Sequence, residues 1–329
     1  MDESWRQLVL SATGENALHA EVVPHGANNR LFRIDCLSSQ SYALKQYPQL
    51  EGDNRDRLIT ETSCLEFLAP RCVGFVPKVF GYDEVAQIAL YRWIEGDLIE
   101  KSKPGDIGEV LTFIKRLKEV SGEVAKSQFF QASEACVSFS ELVRQIENRY
   151  TKLLNVSGKE PELALFLKKN FLPLFQSFPR ESSVCDVKTE HLCLSPSDFG
   201  FHNAIRCDTN RLVFVDFEYF GWDDPVKLVC DFLLHPAMNL TERESSQFLA
   251  GAKNVFSNDP NFYQRFCLLY PFFALRWCLI LLNEFLPECW KRRQIAGVSE
   301  KIEKIKSIQL QKAKAWYFKS EDFREILTK

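Results

Sequence analysis

The spacing of apolar and polar residues changes character near residue 94. In LFRIDC, Phe32, Ile34 and Cys36 alternate with Arg33 and Asp35, the period of two expected of a strand with one buried face. The turn-forming Ser38, Ser39 and Gln40 lead into SYALKQY, so the two runs predict a hairpin. From Arg55 to Leu68 the period lengthens: Leu58, Ile59, Leu65 and Leu68 recur at helical spacing, and Pro70 follows as a stop. VPKVFGYD and AQIALYRW return to strand composition, and IEGD at 94–97 breaks the pattern as a linker. The first ninety or so residues thus predict strands interrupted by one helix.

Beyond the linker the period is helical. Ile107, Val110, Leu111, Ile114 and Leu117 mark one amphipathic helix, with Asp106 and Glu109 spaced as a capping pair. Leu142, Val143, Ile146, Tyr150 and Leu153 mark another, opened by Ser140. Further helices are expected near 162–177, 241–256, 262–286 and 299–318, and no internal repeat is present. One segment interrupts this half: LCLSPSDFGFHNAIRCDTNRLVFVDFEYFGWDDP, with a turn-rich loop, a short strand at Leu212–Val215 and an acidic, aromatic stretch. The fold class read from this order is α+β, with a small strand-rich part (1–93) and a larger, mainly helical part (94–329).

Composition narrows the classes. Of 329 residues, 46% are hydrophobic and 26% charged, the balance of a globular protein. With 41 basic against 44 acidic residues the net charge is −3, which argues against a generally basic nucleic-acid binder. The eleven cysteines are odd in number and show no close metal-type pair. Met1–Arg6 is acidic and leads into no apolar run. Free thiols and a cytoplasmic location are therefore expected. Cys267–Pro287 has about the length of a membrane span, but Arg276, Asn283 and Glu284 fall on one helical stripe within it, so a buried core helix and no membrane are expected. His191, Cys185 and Cys193 lack a fourth ligand for zinc.

The candidate chemistry lies in the interrupting segment. Asp198 and Asn203 stand five apart in SDFGFHN, and Asp216 follows thirteen residues later at the end of the apolar LVFV. A carboxylate for an acceptor hydroxyl plus oxygen ligands for magnesium is the set that phosphoryl transfer from a nucleotide requires. Upstream, Lys45 on a strand would reach nucleotide phosphates and Glu61 on the following helix would pair with it. HGANNRLFRI, with Gly26 and Asn28 between two strands, is a candidate phosphate loop.

These motifs resemble those of the aminoglycoside phosphotransferase and choline kinase group, which has a bilobal, protein-kinase-like fold. The likeness runs from about residue 20 to 290, and its specific part is SPSDFGFHNAI followed by LVFVDFEYFGWDDP. It implies a transfer of the γ-phosphate of ATP or GTP, with magnesium, to a hydroxyl of a small molecule that is cationic or a sugar. Asp198 takes the place of the catalytic carboxylate, Asn203 and Asp216 those of the metal ligands, and Lys45 and Glu61 those of the phosphate-binding pair. The family's hinge falls on IALYRWIEGD, so backbone near Tyr91, Trp93 and Ile94 would meet the base. Where the family loop usually begins His-Gly-Asp, this chain has Pro196-Ser197-Asp198. The alternative is a kinase-like nucleotide-binding regulatory module without turnover. Glu218, Asp223 and Asp224 leave two readings open: a negative pocket for a cationic acceptor, or a helix cap at Asp223-Asp224-Pro225. Asp231 is expected to brace the catalytic loop.

Overall fold

The computed structural model describes residues 2–23, 29–49, 55–178, 185–290 and 301–328, with side chains to residue 321. Its contacts divide into two compact units: Met1–Ser133 with Leu194–Gly221, and Glu134–Cys193 with Trp222–Lys329. Residue 94, where the sequence pattern changes, lies inside the first unit.

The first unit is built on a five-stranded antiparallel sheet of β1 (Ala17–Val23), β2 (Arg30–Cys36), β3 (Ser41–Gln46), β4 (Val79–Asp83) and β5 (Ile88–Arg92), in the order β1-β2-β3-β5-β4. The β2–β3 hairpin turns where Ser38–Gln40 predicted it, with Ser39 at φ 66° and the Cys36 N–H bonded to Gln40 O at 2.9 Å. Strand alternation sends Phe32, Ile34, Cys36, Tyr42 and Leu44 to one face, where they are buried with Leu8 and Val9. Those two residues belong to α1 (Glu3–Thr13), a helix the sequence reading did not include. Its signal is short: Asp2 caps the Ser4 N–H at 3.0 Å, and the apolar stripe has only Trp5, Leu8, Val9 and Ala12. The helix α2 (Arg57–Leu68), capped by Asp56, packs on β4 and β5.

The rest of this unit contains α3 (Asp106–Ser121) and short strands β6 (Asp97–Leu98), β8 (Ala204–Arg206) and β9 (Leu212–Phe214), after a three-residue β7 (Cys193–Ser195). The expected Asp106/Glu109 capping pair is not formed. Gly105 is the cap residue, and the Asp106 carboxylate instead accepts from the Lys103 N–H at 2.6 Å and from Arg206. The linker is itself drawn into a sheet: β6 pairs with β8, Asp97 opposite Arg206. Gly96 makes this approach, since a Cβ there would lie 2.3 Å from the Arg206 carbonyl oxygen and φ is 154°. Below the β8–β9 hairpin, Phe75, Phe113, Phe199, Phe214 and Phe217 form an aromatic cluster, with Phe113 and Phe214 stacked at 4.6 Å.

The second unit is helical: α4 (Phe139–Val156), α5 (Pro161–Phe166), α6 (Leu172–Ser177), α7 (Pro225–Leu234), α8 (Glu242–Val255), α9 (Phe262–Leu281) and the helix Ile302–Thr328. Ser138, not Ser140, caps α4, accepting from the Glu141 N–H at 3.2 Å. α5 and α6 are joined by a π-helical stretch at Leu167–Phe171. Pro173, just beyond it, lacks the N–H that would bond back one regular turn. Thr241 and Glu244 form a reciprocal capping box on α8.

α9, continued by Leu282–Phe285, is long and apolar enough to cross a membrane, but 67% of its most apolar window is buried in the structure. It packs against α4, α7 and the helix Ile302–Thr328, as a core helix does. Its buried cations are all paired. Arg265 binds Asp224 and, at 2.7 Å, Asp259; Arg276 binds Glu134 at 2.7 Å and Gln145 at 3.0 Å. Asp231 accepts from Trp277 Nε1 at 2.7 Å and faces Lys227 at 3.0 Å and Arg276 at 3.5 Å. It thus ties α7 to α9. Asp224 caps α7, accepting from the Val226 N–H at 2.8 Å, and Asp223 pairs with Lys227 at 3.0 Å. The cap reading of Asp223-Asp224-Pro225 therefore holds. All eleven cysteines are free thiols.

Two outcomes test this packing. Gly96→Ala should lower stability by roughly 1–3 kcal/mol in urea, because the added Cβ must displace the β8 backbone. An unchanged midpoint would show that the linker does not need this approach. Glu134 resists burial's upward pull because Arg276 and Arg149 hold its pKa down at about 2. Its pairing therefore stabilises fully above the ordinary glutamate value and is lost as pH falls toward about 2. Glu134→Gln should flatten the acid limb of the stability curve in that window; a parallel acid limb would contradict it. The carboxylate is 47% exposed, so solvent screens the pair.

Candidate active site

Lys45 sits one residue past Leu44 on β3, so the alternation that buries Leu44 under α1 turns Lys45 to the opposite face. There its ammonium is nearly covered and must be paired. It donates to Glu61 Oε2 and to Asp216 Oδ1, both at 2.6 Å, and lies 3.9 Å from Glu218. Burial works against the charge, but Asp216, Glu61 and Glu218 outweigh it and hold the Lys45 pKa well above the ordinary lysine value. Asp216 and Lys45 are 171 residues apart in the chain, so only the fold brings them together.

Glu61 is fixed by more than Lys45. Its Oε1 accepts from the Phe217 N–H at 3.2 Å and its Oε2 from the Tyr47 hydroxyl at 2.7 Å. Tyr47 in turn shares a 2.6 Å hydrogen bond with the Tyr91 hydroxyl. Both phenols are buried, and burial pushes both pKa values well up. Glu218, fully buried two residues beyond Asp216, accepts from Asn29 Nδ2 and faces Arg57 at 3.5 Å. Carboxylate oxygens of Glu61, Asp216 and Glu218 lie within 4.8 Å of one another.

The loop bearing Asp198 is held separately. The Asp198 N–H bonds to Pro196 O at 2.9 Å, closing a three-residue turn around Ser197 at φ 67°. The Ser197 hydroxyl donates to Ser133 O at 2.9 Å, and its N–H bonds to Ser195 Oγ at 3.1 Å. These serine contacts secure the loop where this chain has Pro196-Ser197. Asn203 Nδ2 donates to Asp198 O at 2.9 Å, and Asn203 O accepts from the Val215 N–H at 2.9 Å, one residue before Asp216. His202 Nε2 lies 3.0 Å from Asp198 Oδ1. Asp216 has φ 67°, a left-handed conformation that a non-glycine residue keeps only under tertiary constraint.

Of the residues singled out in the sequence, Lys45, Glu61 and Asp216 are in direct contact, while Asp198 and Asn203 join them through the Asn203–Val215 bond. Gly26 and Asn28 lie outside the described residues. Tyr91 lies within β5, paired with Ala43 on one side and Val79 on the other, so its backbone is engaged in the sheet. Trp93 and Ile94 follow the strand, with the Arg33 guanidinium 5.0 Å from the Trp93 ring. The sequence reading missed Asn29, Tyr47, Arg57 and His202, and it grouped Glu218 with Asp223 and Asp224. Glu218 instead shares the Lys45 cluster. Its spacing from Asp216 was a usable signal, as was the four-residue interval from Asp198 to His202.

The fold and these groups define a kinase-like class of protein. The profile of the phosphotransferase enzyme family matches residues 19–264, and the chain belongs to that family. A choline kinase, LicA from Streptococcus pneumoniae, superposes at TM-score 0.64 with 15% identity, covering 96% of this chain and 98% of that one. The gentamicin complex of APH(2")-IIa superposes at TM-score 0.62 with 17% identity, covering 98% of both chains. Among curated relatives, altered inheritance of mitochondria protein 9 of Komagataella phaffii is 33% identical over 88 residues, which is 24% of this chain and 14% of that protein. The architecture is thus the protein-kinase-like α+β fold expected from the sequence.

The buried cluster makes a charge prediction. Lys45→Met leaves three neighbouring carboxylates without their shared cation and should cost about 3–5 kcal/mol in denaturant stability near pH 8. Burial pushes the Glu61 pKa up, and without the Lys45 charge that carboxyl takes up a proton more readily as pH falls, so the loss should shrink near about pH 5. Equal losses at both values would show that Lys45 contributes packing alone.

Proposed function

We propose that the protein transfers the γ-phosphate of ATP or GTP, with magnesium, to a hydroxyl of a small molecule. The observation that carries this reading is the linked set in the first unit: Lys45 bonded to Glu61 and Asp216, and Asp198 tied through Asn203 to the residue before Asp216.

The donor set suits magnesium, which takes hard oxygen ligands. Asp216 is one-third exposed beside the buried Glu218, and Asn203 adds an amide oxygen on an adjacent backbone segment. Asn203 and Asp216 are the residues that would hold the ion. Bound magnesium would supply positive charge against the β- and γ-phosphates. Lys45, kept ionised and oriented by Glu61, would hold the donor's phosphates. Asp198 would align the acceptor hydroxyl and receive its proton, with His202 restraining the carboxylate. The acceleration then comes from positioning and electrostatics. Choline, for which the first solved relative is named, and gentamicin, bound by the second, both combine hydroxyl groups with cationic nitrogen, so a cationic amino alcohol or amino sugar is the acceptor class we favour.

Calorimetry with ATP and GTP in magnesium, followed by a phosphoryl-transfer screen over amino alcohols, sugars and antibiotics, tests the reading. Asp198→Asn should bind nucleotide nearly as the parent does and lose transfer by roughly 10²–10⁴-fold. Asp216→Asn should lose magnesium-dependent nucleotide binding. Undiminished transfer by Asp198→Asn would overturn the assignment. Nucleotide binding without transfer by the parent, across the whole screen, would make this chain a regulatory nucleotide-binding module instead.

A further inference from the structure

Within the first unit a cavity of about 780 Å³ opens beside the end of β4 and β5. Its lining comes from the end of α2, the segment leading into β4, residues 92–95 and the β8–β9 turn, and includes none of the Lys45 cluster. The volume is that of an ordinary small-molecule pocket. Its walls are mostly apolar, and the charged groups among them are arranged unevenly.

Lys78 and Arg92 face one another across the strand pair: the Arg92 N–H bonds to Lys78 O at 2.8 Å, and the next pair inward is Val79 opposite Tyr91. Like charges directly opposite on neighbouring strands destabilise a sheet. Neither cation has a carboxylate at ion-pair distance among the described residues; Lys78 reaches only the Phe80 ring, 5.0 Å away. The other lining charges are mostly satisfied. Glu95 pairs with Arg33 at 3.3 Å, and Arg211 faces Glu109 at 3.8 Å and stacks over the Phe75 ring at 4.9 Å. Glu66 is a lining carboxylate on α2 that reaches neither cation. Trp93, also in the wall, has its Nε1 buried with no hydrogen-bond partner among the described residues.

From these groups we infer that this cavity is a second ligand site, one that takes a small molecule joining an anionic group to an apolar body. The anion relieves the repulsion between Lys78 and Arg92, and the apolar remainder fills the space between α2 and the β8–β9 turn. Trp93 and Ile94 also belong to the segment expected to meet the nucleotide base through its backbone, whereas Lys78, Arg92 and Val73 have no part in the proposed phosphoryl transfer.

Titration calorimetry with sodium octanoate as the probe, compared with octanol, tests it. Octanoate should bind saturably at one site, and octanol at least about tenfold more weakly, since a charge-assisted contact is worth that ratio or more. Lys78→Gln with Arg92→Gln should weaken octanoate about tenfold or more while the melting temperature holds or rises, as the opposed charges are gone. Val73→Glu, at a wall position that is 71% exposed, places a carboxylate at the mouth and should also weaken octanoate without disturbing the fold. Equal affinity for octanoate and octanol, no saturable octanoate binding, or unchanged binding in both variants would overturn the inference.

Discussion

A buried ammonium is the constraint from which the first unit can be understood. Once strand alternation turns Lys45 away from the α1 face, its charge has to be balanced inside the protein. Glu61 answers from α2 and Asp216 from the segment after β9, with Glu218 at 3.9 Å completing the set. The position of α2 against the sheet and the path of residues 216–218 are therefore coupled through one nitrogen. Tyr47 and the Phe217 N–H occupy further lone pairs of Glu61, so the carboxylate has little freedom to leave. A buried group satisfied in this way is rigid, which is the property that the role proposed for Lys45 requires.

The segment bearing Asp198 reaches rigidity by another route. It contains almost no regular structure, yet a backbone bond closes it at Pro196–Asp198, the Asn203 side-chain amide closes it at Asp198–Asn203, and Ser195 and Ser197 hydroxyls add further bonds. Phe199 and Phe214 pack with Phe113 below it, anchoring both ends of the β8–β9 hairpin to α3. Ser197 and Asp216 occupy left-handed conformations on either side of this hairpin. Strain of that kind persists only where the surroundings over-determine it, and it falls on Asp216, which the proposed chemistry uses, and on Ser197, next to Asp198. The serine contacts also give a physical account of how the loop is held without the histidine usual at its start.

The helical unit uses charge in a purely architectural way. Lys227, Arg265 and Arg276 are buried and each is matched to carboxylates: Lys227 to Asp223 and to Asp231 on its own helix, Arg265 to Asp224 and Asp259, and Arg276 to Glu134. Removing one partner of such a pair costs more than the pair contributes, so these contacts specify how α7 and α9 dock more than they add stability. Arg276 in the most apolar helix is explained in this way: it reaches Glu134, Gln145 and Asp231.

Periodicity alone determined most elements. The β2–β3 hairpin, α2, α3, α4, α8 and α9 could be read because their apolar residues recur along many positions, and Asp198, Asn203 and Asp216 because their order and spacing form a known pattern. Helix α1 escaped because its stripe is only four residues wide, and the cap of α3 because Gly105 at φ 102° leaves no side-chain signal. What the sequence could not contain is partnership across long chain distances. That Glu218 joins Lys45, Asn29 and Arg57 rather than Asp223, that Asp231 braces α9, and that Tyr47 supports Glu61 follow from which faces pack together. Linear spacing encodes only local geometry, so side-chain contacts made across the fold are decided by tertiary packing.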